Sequence, residues 1–141
     1  MTKKTQPLLT VEELLRMPEA DYMSERQLAF FRNRLESMAE ELKNNASQTA
    51  EAMREHTVVA DITDRASIEE EHALELRKRD RERKLLMKVQ AALRRIETGD
   101  YGWCEETGDP IGVARLLARP TATFSVEAQG RREMRQKMFG D

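Results

Sequence analysis

RASIEEEHALELRKRDRERKLLMKVQAALRRIET, residues 65–98, contains neither glycine nor proline. Ala66, Ala73, Leu74, Leu85, Val89, Ala92, Leu93 and Ile96 recur along it at helical spacings, which predicts one long helix with a coiled-coil-like seam. Gly99 is placed to end it in a left-handed conformation. Upstream, Ser24 to about Val58 is equally free of breakers, with Leu28, Phe31, Leu35, Met38, Leu42, Ala46, Met53 and Val58 on a second stripe. That stripe weakens after Leu42, where Asn44, Asn45, Ser47 and Thr49 lower propensity and expected burial. Between the two lies Val59-Ala60-Asp61-Ile62-Thr63-Asp64, whose aspartates and threonine suit a turn and a helix cap. Two long helices joined by a short turn should pair antiparallel. At ~1.5 Å rise per residue the hairpin would be roughly 50 Å long, a protruding rod with its tip near 59–66.

Working outward, Thr10 can cap a short helix that Pro18 ends, with Glu12 and Glu13 in its first turn. Ser24 and Gln27 read as a capping box for the first long helix. Beyond Gly99, residues 99–124 change character: Tyr101, Trp103, Ile111, Val113, Leu116, Leu117 and Phe124 are interspersed with Gly102, Gly108, Pro110 and Gly112, as in a compact, turn-rich knob. A last helix should run through 125–141, capped by Ser125. The expected organisation is an N-terminal segment over 1–22, a hairpin over 23–98, the knob and the closing helix, an all-α fold.

Composition agrees and excludes several classes. Among 141 residues, 35% are charged and 5% aromatic, with six glycines and four prolines, too few turn formers for a β-sandwich or barrel. The net charge of −2 argues against a general nucleic-acid binder. No apolar run approaches the roughly 18 residues of a membrane span, and the stretch from Met1 to Val11 lacks the long apolar core of a signal peptide. One cysteine permits no internal disulfide and suits a reducing cytoplasm.

Three features could carry chemistry. Asp61 and Asp64 sit on the turn furthest from the knob, either as ordinary turn and cap residues or as carboxylates presented by a rod to a partner. Arg77-Lys78-Arg79-Asp80-Arg81-Glu82-Arg83-Lys84 is strongly basic, either a solvated helix face or a contact for phosphate or acidic protein. Cys104-Glu105-Glu106-Thr107-Gly108 has half of a zinc knuckle, with Thr107 where a second thiolate would stand and no later cysteine; neutral hydroxyls do not replace thiolates on zinc, so no metal is expected. There is no phosphate-cradling glycine loop, no nucleophile with a nearby histidine and no concave pair of acids, so an enzyme is not expected.

Asp64-Arg65-Ala66, Leu74-Glu75-Leu76-Arg77, Arg79-Asp80-Arg81-Glu82-Arg83-Lys84-Leu85, Tyr101-Gly102 and Ala118-Arg119-Pro120-Thr121-Ala122 together resemble the DksA/TraR family of bacterial regulators, in order from about Tyr22 to Lys137. The resemblance implies a coiled coil that enters the secondary channel of RNA polymerase. There its tip alters open-complex stability, repressing ribosomal RNA promoters and activating some biosynthetic ones. Guanosine tetraphosphate (ppGpp) would act as effector at the polymerase rim in the stringent response. It implies a tip of Asp61, Asp64 and Ala66, a polymerase-anchoring Arg81, and nucleotide contacts at Leu85, Lys88 and Arg119. It also implies a cytoplasmic monomer without sequence-specific DNA or membrane binding.

The family's four zinc cysteines fall here on Cys104, Thr107, Ser125 and Ala128, a degenerate site that must be replaced by packing of Trp103, Ile111, Val113, Leu117, Phe124 and Val126. Gln129 stands where the family usually has a nucleotide-contacting lysine, with Arg131 and Arg132 close by. Two other readings compete. A transcript-cleavage factor would use paired tip acids on a catalytic magnesium, but usually carries a β-rich C-terminal domain. A structural coiled coil for oligomerisation would need an apolar seam through 75–84, which is heavily charged.

Overall fold

The computed structural model describes residues 7–59 and 65–139. Among these described residues five α-helices follow in order: α1 (Val11–Arg16), α2 (Glu25–Val59), α3 (Arg65–Thr98), α4 (Val113–Ala118) and α5 (Val126–Met138), with one 3-10 turn at Glu19–Asp21. Among the described residues there is no strand, only an isolated antiparallel bridge between Trp103 and Pro110. The fold is all-α, and α2 and α3 are the long helices that their lack of glycine and proline predicts.

The chain forms two compact units, one from the described parts of Met1–Leu35 and Ala91–Asp141, the other from those of Glu36–Gln90. In the first, Thr10 closes a capping box with Glu13, its hydroxyl accepting the Glu13 N–H at 3.1 Å while Glu13 accepts the Thr10 N–H at 2.9 Å. This sets α1 so that Leu14 is buried, and α1 packs on α4. Phe31, at 0% exposure, lies against both Phe30 and Tyr101, with ring centroids 5.2 and 5.7 Å away. Leu116, Ile111, Ala92, Ile96, Ala122 and Ala128 complete this core. Tyr101 donates its hydroxyl to the Pro120 carbonyl at 2.7 Å, so its polar tip is satisfied where its ring is buried.

Tyr22 pins the start of α2 to the knob. Its hydroxyl donates to the Gly102 carbonyl at 2.6 Å and accepts the Gly112 N–H at 2.8 Å, while its ring meets Trp103 edge to face. Burial pushes the Tyr22 phenol up despite the N–H groups of Gly112 and Ile111, so it stays protonated and keeps donating. The capping box expected at Ser24 and Gln27 is not what forms. The Gln27 oxygen accepts the N–H of Met23, not Ser24, at 2.9 Å, and the Ser24 hydroxyl is buried with no partner among the described residues. Met23 takes a left-handed φ of 56°, and only the Gln27 half of the expected pair is made, to the residue before Ser24.

In the second unit α2 and α3 run antiparallel. Asn45 of α2 donates to Glu82 of α3 at 3.4 Å, and Leu42, earlier on α2, shares a groove with Leu86, later on α3. Leu42 and Val89 are buried as their places on the stripes predict. Two expectations are corrected. Thr49 is 6% exposed although the polar residues around it suggested a solvated stretch, and Leu74, placed in the seam by spacing, is 59% exposed. Leu76, two residues on, is 52% exposed as well, so neither leucine of this stretch packs into a seam. Ala66 also lies exposed in the first turn of α3.

Candidate functional site

Arg77, Arg81, Lys84 and Lys88 fall at i, i+4, i+7 and i+11 on α3, a spacing that stacks them along one face, and all are exposed. Asp80 engages Arg83 at 2.9 Å and Lys84 at 3.2 Å. Hydrogen bonds from Arg83 and then Lys84 hold its carboxyl below the usual carboxylate range, so it stays charged and occupied. Arg77, Arg81 and Lys88 have no ion-pair partner among the described residues. Leu85, half-buried, borders this basic face. Arg119 belongs to the other unit: it follows α4, its N–H bonds the Arg115 carbonyl at 2.8 Å, and its side chain is exposed. Asp61 and Asp64 lie outside the described residues.

The knob brings the degenerate metal positions together. Residues 102–111 double back, with Ile111 N–H on the Gly102 carbonyl and Cys104 N–H on the Asp109 carbonyl, both at 2.8 Å. Cys104 is buried at the centre. Burial pushes its thiol up, but the Thr107 hydroxyl and the N–H groups of Ser125, Thr107 and Glu106 outweigh it and bring it down to about 6. The Thr107 hydroxyl in turn accepts the Asp109 N–H at 3.2 Å. Ser125 caps α5, accepting the Ala128 N–H at 3.2 Å, and Ala128 is fully buried. This donor set does not fit zinc. It has one sulfur, a hydroxyl oxygen on Thr107, a second hydroxyl committed to a helix cap, and a methyl group at the fourth place.

Around these positions sit contacts that spacing does not reveal. Arg95 at the end of α3 pairs with Glu105 and donates to the carbonyls of Asp100 at 3.0 Å and Trp103 at 3.1 Å. Glu106 faces Arg131 at 3.7 Å and Arg135 at 3.4 Å on α5, and the Arg132 guanidinium lies 4.4 Å from the centre of the Phe124 ring. The i, i+4 pair of arginines was visible in the sequence; their carboxylate partner, more than twenty residues earlier, was not. Gln129 donates to Glu133 at 3.0 Å, and its cationic neighbours Arg131 and Arg132 are both engaged within the chain. Trp103 (37% exposed) and Val126 (62%) are not the packing substitutes expected of them; Tyr101, Cys104 and Leu116 fill the core instead.

Residues 27–96 match the family described as DnaK suppressor protein DksA, N-terminal domain, and residues 99–133 match the prokaryotic dksA/traR C4-type zinc finger. A protein of Caulobacter vibrioides named RNA polymerase-binding transcription factor DksA is 52% identical over 121 residues, 85% of each chain. The chain belongs to the DksA family. The Escherichia coli (strain K12) DksA of the same printed name is 42% identical over 130 residues, 92% of this chain and 86% of that one. Among solved structures, transcription factor DksA2 from Pseudomonas aeruginosa is similar with a TM-score of 0.84 and 45% identity, covering 91% of this chain and 99% of that one. These DksA relatives are named as transcription factors, not as enzymes. The zinc-finger match and the donor set therefore diverge: the DksA knob is kept, its four-thiolate chemistry is not.

Proposed function

We propose that this protein regulates transcription by binding bacterial RNA polymerase through the secondary channel. The tip around Asp61, Asp64 and Ala66 acts near the active site and lowers open-complex stability, repressing ribosomal RNA promoters and favouring some biosynthetic ones. The observation that carries the reading is the similarity, along most of the chain, to proteins named for RNA polymerase binding. The exposed Arg81 and Lys88, without an ion-pair partner among the described residues, support it, because such cations can meet an acidic or phosphate-bearing surface. Arg81 anchors the polymerase; Leu85, Lys88 and Arg119 contact ppGpp at the rim. The protein acts as a cytoplasmic monomer.

Binding is tested by displacement of a labelled family member from polymerase. Arg81→Ala is expected to weaken it about tenfold, the scale of one charge-assisted hydrogen bond. Unchanged affinity would remove Arg81 from the interface. Transcription from a ribosomal RNA promoter, with and without ppGpp, tests the regulatory step. Release of short RNAs from a backtracked complex, with initiation unaffected, would favour the cleavage-factor reading instead.

The protein performs this role without zinc. Helicity and polymerase binding are expected to be the same before and after EDTA, and elemental analysis should find well under one zinc per chain. Loss of helicity in chelator would overturn this, since a structural zinc contributes about 10–16 kcal/mol of apparent binding energy to a small fold.

A further inference from the structure

The position of α5 poses a question that the metal would ordinarily answer. Two of the four degenerate positions, Ser125 and Ala128, lie at its cap and first turn, where two metal bonds would fasten the helix to the knob. Ser125 and Ala128 are buried, and Gln129 is half-buried. From Gly130 to Phe139 every residue is exposed, including Met134, Met138 and Phe139 at 60, 68 and 77%. A helix of 13 residues is marginal in water by itself, and Gly130 in its interior lowers its propensity further. Among the described residues no apolar side chain of these distal turns is buried.

What reaches back to the knob is charge. Arg131 and Arg135 lie one turn apart on the same face, and both point to one carboxylate, Glu106, with one oxygen facing each guanidinium. The Glu106 side chain is 29% exposed, less than the 54% and 56% of the arginines, so the carboxylate is the better shielded partner. Arg132, between them in sequence, turns to the Phe124 ring. Glu106 itself sits in the loop between Cys104 and Thr107, and its N–H is one of those directed at the Cys104 sulfur. The clasp therefore springs from the same loop that carries the first two degenerate metal positions.

We propose that Glu106 is a carboxylate clasp that fastens the distal half of α5 to the knob, and that this makes that half separately releasable by salt. Metal–thiolate bonds are indifferent to ionic strength at this level, whereas half-exposed ion pairs weaken as the Debye length falls from about 10 Å at 0.1 M to about 3 Å at 1 M. The first turn, held by the Ser125 cap and buried Ala128, stays in place while the turns beyond Gly130 open.

Amide hydrogen exchange on the full-length protein tests this. At low salt, Glu106→Gln is expected to speed exchange over 131–138 about three- to thirtyfold, the scale of two exposed ion pairs lost together. Residues 27–35 and 113–118 should be unaffected. Raising NaCl to 0.5 M should produce a similar acceleration in the wild type and little further change in the variant. The reversed set, Glu106→Arg with Arg131→Glu and Arg135→Glu, should restore slow exchange at low salt. Equal exchange in Glu106→Gln and wild type would overturn the clasp. So would an acceleration spread evenly over the whole first unit, which would make Glu106 a general support of the knob, or a salt response as large in the variant as in the wild type.

Discussion

Asp64→Asn is expected to bind RNA polymerase with unchanged affinity yet lose its effect on a ribosomal RNA promoter by 10- to 100-fold. The substitution keeps the side chain's size and removes its charge, so only interactions that require a carboxylate are lost. A hydrogen bond to a charged group is worth about 1.5–3 kcal/mol, which sets that range. Binding is retained because the proposed anchor, Arg81, is on α3 and exposed. Promoter-complex lifetime, measured after competitor challenge, separates the two steps. Full repression by Asp64→Asn would remove the tip carboxylate from the mechanism. Joint loss of binding and repression would make Asp64 part of the anchor.

Gly102→Ala is expected to destabilise the first unit by about 2–5 kcal/mol, from left-handed backbone strain of ~1–2 kcal/mol added to overpacking of ~1–3 kcal/mol. Gly102 has φ +91°, and a Cβ there would stand 2.7 Å from the Met23 sulfur, 2.8 Å from its Cγ and 3.3 Å from the Tyr22 hydroxyl oxygen. That oxygen cannot retreat without breaking its bonds to the Gly102 carbonyl and the Gly112 N–H. Gly108, at φ +78° with open space around its missing Cβ, isolates the backbone contribution. Its replacement by alanine should cost only about 1–2 kcal/mol. Urea unfolding of both variants gives the comparison. Equal losses would show that Met23 moves aside and that the Tyr22 pin is not strained by the methyl group.

The elements were legible where their cause is local. The absence of glycine and proline over 65–98 and from Ser24 to Val58 predicts the two long helices, and Gly99, at φ +86°, ends the second of them. Thr10 and Ser125 cap as their positions suggest, because a hydroxyl reaching an N–H three residues on is a short-range event. The cations now found exposed on α3 were equally plain, since helical spacing alone stacks them. The absence of three of the four thiols was also readable, since donor atoms belong to residue types.

Tertiary structure decided the rest. Leu74 and Thr49 exchanged their expected exposures because burial on a helix depends on which way the partner helix faces, which spacing along one helix does not fix. Gln27 caps Met23 in place of Ser24 because Met23 adopts a left-handed turn against Gly102, a contact across some eighty residues. Trp103 and Val126 read as core by type, yet the knob closes around Tyr101, Cys104 and Leu116 and leaves both outside. Glu106 meets Arg131 and Arg135 only because α5 lies beside its loop, a juxtaposition that no local spacing encodes. Periodicity and capping act over three or four residues, so the two long helices and the caps at Thr10 and Ser125 follow from local sequence, whereas α4 and the actual start of α2 do not. Which long-range partners a side chain meets depends on how those helices are brought together, and that was settled only when the chain folded.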